Sequence, residues 1–167
     1  MLLLERARRV RASGCSGADE LAGGIDVGDG LVLTVAHALR GARTVTVDDS
    51  PGTMVALDHR IDAALVMTDG RLPPIGFAAG RPGPASVVTD RGTPPIDVTR
   101  RVTVRIDEPR DGAIYERAAL ILDASMEHGD SGSGVVDNAG RLVGMVFAAS
   151  RQTPRAHAVL PVARFSP

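Results

Sequence analysis

Three short stretches of this chain carry residue types that could perform covalent chemistry together. Gly129-Asp130-Ser131-Gly132, followed at once by Ser133-Gly134 and an apolar run, sets a hydroxyl on a glycine-flanked turn. Such a turn exposes the serine oxygen and can aim successive backbone N–H groups at the point where an oxyanion would form. Thr34-Val35-Ala36-His37-Ala38 puts an imidazole at the end of an apolar run, where it could take a proton from a hydroxyl. Asp62-Ala63-Ala64-Leu65 places an acid immediately before another apolar run. A carboxylate buried there needs a partner, and an imidazole N–H suits it. Each stretch alone has an ordinary reading: a hairpin turn with an incidental Ser, a His without a role, a strand-initiating surface Asp. In the order His37, Asp62, Ser131 they point to nucleophilic acyl transfer.

Residues used in this way must be held by a scaffold, and the rest of the chain reads as strands. Alternating or β-branched runs cover Arg8 to Ala12, Leu31 to Val35, Arg43 to Val47, Met54 to Leu57 and Ala63 to Met67. Six more follow: Ala85 to Thr89, Val98 to Ile106, Ala118 to Leu122, Gly134 to Val136, Leu142 to Phe147 and Ala156 to Leu160. Turn chemistry separates them at Gly28-Asp29-Gly30, Asp49-Ser50-Pro51-Gly52 and Asp137-Asn138-Ala139-Gly140. Helical periodicity is absent over any long segment, although Asp111 to Leu122 could start as helix. The pattern predicts an all-β barrel or sandwich. Glycines and prolines crowd residues 70–84, which suits a connection between two β halves. The expected division is 1–72, a connection at 73–84, and 85–167. Each half is too small to bury a good core alone, so the two should pack as one unit.

Composition narrows the classes further. With 167 residues, 19 basic and 20 acidic side chains and a net charge of −1, the chain fits one ordinary domain. Only 2% of residues are aromatic, and all the basic residues are Arg. Neither a basic stripe nor stacking platforms for nucleic acid are present, so no nucleic-acid partner is expected. No apolar run approaches the roughly 18 residues of a membrane helix. Cys15 is the one cysteine, which rules out an intrachain disulfide and a cysteine-built zinc site. Met1 to Arg9 has leucines before charges, unlike a secretory leader, so a cytoplasmic location is expected unless this is a domain of a longer, exported chain.

The order His, Asp, Ser is that of the chymotrypsin arrangement, whereas α/β-hydrolases run Ser, acid, His. Ser133 also stands where the hydrolase elbow would need Gly. The sequence resembles a trypsin-like (chymotrypsin-family) serine peptidase of the compact bacterial type, over nearly its whole length. Thr34 to His37 resembles the family's Thr-Ala-Ala-His, Asp62 to Leu65 its Asp-Ile-Ala-Leu, and Gly129 to Gly134 its Gly-Asp-Ser-Gly-Gly-Pro. Leu142 to Phe147 resembles the strand that lines the specificity pocket, and Val159 to Val162 the return strand. The resemblance implies two packed six-stranded antiparallel barrels with the active site between them. It implies His37 as general base, Asp62 as its orienter, Ser131 as nucleophile, and the N–H groups of Gly129 and Ser131 as oxyanion hole. The substrate would be polypeptide, with no metal or organic cofactor; the oligomeric state stays open.

Departures from the family pattern carry expectations of their own. Leu21 to Ile25 does not resemble a processed amino terminus, so Asp130 needs a partner other than a new terminal amine: an Arg or backbone amides. By resemblance, Ser125 to His128 form one wall of the substrate pocket, Phe147, Ala148 and Ala149 another, and Ala156 to Ala158 its base. No acid falls on that floor, so a preference for Arg or Lys before the scissile bond is not expected. The alanines favour a small or medium aliphatic residue, while His157, if it points inward, could recognise a carboxylate. Ser133 is the weaker nucleophile candidate. Asp58 and His59 read as solvated turn residues, Cys15 as a small residue near a strand end, and Glu127 with His128 lacks the spacing of a zinc site. A non-catalytic peptide-binding module on the same fold is the rival reading, and an esterase activity in vitro a further one.

Overall fold

Polar and apolar residues alternate along the first strand: Val10 and Ala12 are buried while Arg9 and Arg11 face solvent. That period of two lets one face of a sheet cover a core, and it recurs through both halves of the chain. The computed structural model describes residues 3–15, 17–107, 112–149 and 156–160. Six strands, β1 (Ala7–Gly14), β2 (Asp19–Gly28), β3 (Leu31–Thr34), β4 (Ala42–Val47), β5 (Ser50–Asp58) and β6 (Ala63–Met67), close in the order β1-β2-β3-β6-β5-β4. A second barrel closes in the order β10-β11-β12-β9-β8-β7. Its strands are β7 (Gly83–Val88), β8 (Pro95–Asp107), β9 (Ile114–Asp123), β10 (Gly134–Asp137), β11 (Leu142–Ala149) and β12 (Ala156–Leu160). Neighbouring strands are antiparallel throughout. Closure leaves neither sheet with a free edge.

Three details differ from the sequence expectation. Asp19–Gly28 is a strand, although its Gly-Gly pair and flanking acids hide the pattern. The segment after residue 111 has no helical start: Ile114 pairs with Asp107 and β9 runs unbroken to Asp123. Cross-strand pairing with the long β8 overrides whatever local helical preference Tyr115 to Ala119 carries. The β4–β5 turn falls at Asp48-Asp49 rather than Asp49 to Gly52, since Val47 pairs with Ser50. Both turn residues adopt positive φ, +49° and +66°, the backbone that a two-residue hairpin requires and that Asp tolerates better than most residues.

The barrels meet through apolar side chains rather than through a linker alone. Ile25, Leu33 and Val35 of the first half pack in one buried cluster with Val136, Leu142 and Met145 of the second. The chain between β6 and β7 also touches both: Ile75 N–H donates to Val27 O, and Leu142 N–H to Gly76 O. Arg6, buried in the short 3-10 turn Leu3–Arg6, donates to Asp26 O at 3.0 Å and Pro73 O at 2.8 Å. Its burial lowers the guanidinium below its ordinary value, an effect partly opposed by the charge of Asp26. Among the described residues, no helix is long and apolar enough to cross a membrane.

Candidate active site

The β3–β6 register sets the first half of the site. Thr34 pairs with Ala64, so the residues following β3 and those preceding β6 emerge at the same edge of the first barrel. His37 opens a short 3-10 turn there (His37–Leu39), and Asp62 stands one residue before β6. His37 Nδ1–H donates to Asp62 Oδ2 at 2.7 Å, and the His37 backbone N–H donates to Asp62 Oδ1 at 2.8 Å. A carboxylate can only accept, so the ring is held as the Nδ1–H tautomer with Nε2 left as acceptor. Asp62 itself has φ +56°, a left-handed conformation uncommon outside glycine, and its carbonyl accepts from Ala36 N–H at 3.2 Å. Its side chain is 4% exposed against 45% for His37, so the acid is buried and the imidazole opens to solvent.

The second half of the site comes from the turn before β10. Gly129 has φ +95° and Gly132 φ +98°, positions suited to residues without a Cβ. The turn is braced from inside by Asp130, whose Oδ1 accepts from Arg91 Nη2 at 2.6 Å and whose Oδ2 accepts from Glu127 N–H at 2.7 Å. The sequence left an Arg or backbone amides open as partners, and both are used. Hydrogen bonding to Asp130, and then its charge, hold the Arg91 guanidinium above its ordinary value. Among the described residues, the backbone N–H groups of Gly129 and Ser131 meet no protein acceptor.

One hydrogen-bonded run joins the halves. Gly23 N–H in β2 donates to Ser131 O at 2.7 Å, and Thr34 Oγ1 donates to Gly23 O at 2.7 Å. The serine turn therefore docks on β2 beside the end of β3, three residues before His37. A Cβ at Gly132 would collide with Gly23 O and lie 2.8 Å from Thr34 Oγ1. Ser131 is partly exposed, whereas Ser133 is 2% exposed and packs against Gly23.

The remaining expected positions differ in exposure. Ser125 and His128 are exposed, and His128 lines a cleft with Leu21, Gly23, Arg91 and Asp130. Phe147 is 4% exposed in the core, its ring under the guanidinium of Arg117. Ala148 is half-buried. Ala149 pairs with His157 in the backbone, but the side chains of both lie outside the described part. Ala156 and Ala158 are placed in β12 by backbone alone. His59 is not a solvated turn residue, since its Nδ1 is buried without a partner and its carbonyl accepts from Arg117. Cys15 is exposed. Among the described residues, no group of His, Cys, Asp and Glu could hold a metal ion.

Sequence reasoning missed Arg117 altogether. Its one local signal is parity: Arg117 falls on a buried position of β9, as does Ala119, where a cation demands a partner.

Comparison with known proteins places this fold and sequence among serine proteases of one family. Residues 22–145 match the model of a trypsin-like peptidase domain. The serine protease Rv3671c of Mycobacterium tuberculosis is 30% identical over 133 residues, covering 71% of this chain and 34% of the relative. This chain thus spans about a third of the length of the curated relatives it matches. The solved active form of the Rv3671c protease superposes with a TM-score of 0.84 at 23% identity, over 97% of this chain and 79% of the other. The MamO protease domain of Magnetospirillum magneticum gives a TM-score of 0.74 at 18% identity, over 96% of this chain and 94% of the other. These superpositions are likenesses of fold.

Proposed function

The chain belongs to the trypsin-like peptidase family, and from that premise we propose that it is a serine endopeptidase working through His37, Asp62 and Ser131. The observation that carries the reading is the double grip of Asp62 on His37, 2.7 Å to the ring and 2.8 Å to the backbone. That grip leaves Nε2 free to accept a proton, which is what a serine nucleophile needs from its base. His37 takes the Ser131 proton as Oγ attacks the scissile carbonyl. The tetrahedral oxyanion is received by the Gly129 and Ser131 N–H groups. Imidazolium then protonates the departing amine, leaving an acyl-enzyme, and water attacks the ester with His37 again as base.

Asp62 stabilises the imidazolium at each turn without itself taking the proton. The Ser131 hydroxyl makes no hydrogen bond to the protein among the described residues. Such contacts commonly tighten only when substrate is in place. On this reading no acid of the sequence falls on the pocket floor to meet Arg or Lys, and the residue preceding the scissile bond is small or medium and aliphatic.

A fluorophosphonate probe tests the proposal, since it reacts with a serine activated by a base beside an oxyanion hole. The wild-type chain should label, Ser131→Ala should not, and Ser133→Ala should retain labelling. Labelling that survives Ser131→Ala but not Ser133→Ala, with both variants folded, moves the nucleophile to Ser133. No labelling of the folded wild type favours a binding module.

A further inference from the structure

Arg117 lies on β9 of the second barrel, yet every polar contact of its guanidinium that the structure resolves is with the loop that carries Asp62 in the first. Nε donates to Arg60 O at 2.8 Å, Nη2 donates to His59 O at 2.8 Å, and Nη1 stands 3.8 Å from Asp62 Oδ2. The side chain is 7% exposed. Its guanidinium carbon sits 5.4 Å from the Phe147 ring centroid and 5.7 Å from that of Tyr115. Taking a guanidinium out of water is costly unless its donors and its charge are matched. Two carbonyls, two aromatic rings and one carboxylate supply that match.

The distances separate two possible roles. At 2.7 Å, Asp62 Oδ2 is committed to the His37 ring; at 3.8 Å, Arg117 is outside hydrogen-bond range of the same oxygen. Arg117 therefore does not compete for the oxygen that orients the imidazole. Its two hydrogen bonds instead fix the carbonyls of residues 59 and 60, just ahead of the left-handed backbone at Asp62 (φ +56°). A non-glycine residue persists in that conformation only where its surroundings hold it. A planar fork reaching two successive carbonyls does this in a way that a lysine ammonium, a flexible point charge, cannot.

We infer that Arg117 is a positioning residue for the acyl-transfer site, holding the 59–62 loop from across the barrel interface so that Asp62 keeps its grip on His37. The inference rests on the function proposed above. It also gives strands β8 and β9 a part in positioning the site from the second barrel.

The experiment compares wild type, Arg117→Met and Arg117→Lys in the full chain by two readouts. The first is the low-field proton resonance of His37 Nδ1–H in the resting protein, assigned by its loss in Asp62→Asn. The second is fluorophosphonate inactivation, resolved into the limiting rate kinact and the half-saturation constant KI. In Arg117→Met the resonance should broaden or vanish. There kinact should fall about 10- to 100-fold, with KI within about twofold, the scale expected when a catalytic group is misplaced by about an ångström. Arg117→Lys should recover only part of either. A merely structural staple would lower the melting temperature and leave both readouts intact below it. A folded Arg117→Met with the wild-type resonance and kinact within about twofold of wild type overturns the inference. If the Met variant does not fold, the same two criteria applied to Arg117→Lys decide. If the wild type never reacts with the probe but the resonance still depends on Arg117, the positioning role stands and the peptidase reading falls.

Discussion

Asp130 shows how much a single buried carboxylate organises. Its side chain is 6% exposed and bridges Arg91 and the Glu127 N–H, so it ties the β7–β8 turn to the turn bearing Ser131. Removing one partner of a buried acid leaves an acceptor that water reaches poorly. Arg91 is half-exposed, however, which reduces the net effect on stability to about 1 kcal/mol. Arg91→Ala should therefore fold, yet label more slowly with fluorophosphonate, because the Gly129 and Ser131 N–H groups lose the brace that aims them. Labelling kinetics unchanged from wild type would show that the Glu127 amide suffices alone.

At the scale of elements, the β10–β11 hairpin illustrates a turn held by charge. Asp137 Oδ1 accepts the N–H groups of Ala139 and Arg141, and Oδ2 accepts from the Arg141 side chain. Burial alone would raise this carboxyl. The hydrogen bonds from Arg141 and Ala139, with the Arg141 charge, outweigh it and hold the group below its ordinary 3.8. A carboxyl depressed in the folded state contributes stability above its unfolded value and loses it as pH falls through the folded one. Asp137→Asn should then melt about 2–4 °C below wild type near neutral pH, with the gap closing as pH falls below the carboxyl's ordinary 3.8 and on through its depressed folded value. Thermal melts of both proteins across pH decide this. An equal gap at pH 3 and pH 7 would mean that shape, not charge, holds the turn. The β4–β5 turn makes the complementary point: Asp48 and Asp49 both occupy positive φ, and no glycine marks the place.

For the whole molecule, the interface between barrels is both core and the seat of the proposed site. The apolar cluster from Ala22 to Phe147 is continuous across it, beside one cluster within each barrel, so each barrel loses part of its buried surface without the other. Heat should unfold the protein in one calorimetric transition, with van't Hoff and calorimetric enthalpies equal. Gly132 is the tightest point of the docking. Its φ of +98° already disfavours a side chain, and a Cβ would strike Gly23 O and crowd Thr34 Oγ1. Gly132→Ala should cost about 3 kcal/mol or more and abolish probe labelling, because the serine turn can no longer seat on β2. A variant with wild-type melting temperature and labelling would show that the contact relaxes freely.

His37, Asp62 and Ser131 were legible in the sequence as candidates because each stands where a local pattern changes: an apolar strand ending, one beginning, a glycine-flanked turn. Eleven of the strands were legible for the same reason, since alternation is written within four to eight neighbouring residues. The strand Asp19–Gly28 was not. Its glycines matter because Ser133, far away in the chain, approaches Gly23, and Val10 and Val32 of the neighbouring strands approach Gly24. Which cation meets which acid was equally hidden. With 19 Arg and 20 acidic residues, local order cannot say that Arg91 seeks Asp130 or that Arg117 reaches Asp62. Those pairings arise only in the folded chain, Arg91–Asp130 where turns of the second barrel meet and Arg117–Asp62 where the two barrels bury their facing surfaces. The sequence by itself determined the candidate reacting groups and most of the strands that carry them, whereas tertiary packing decided what holds those groups still.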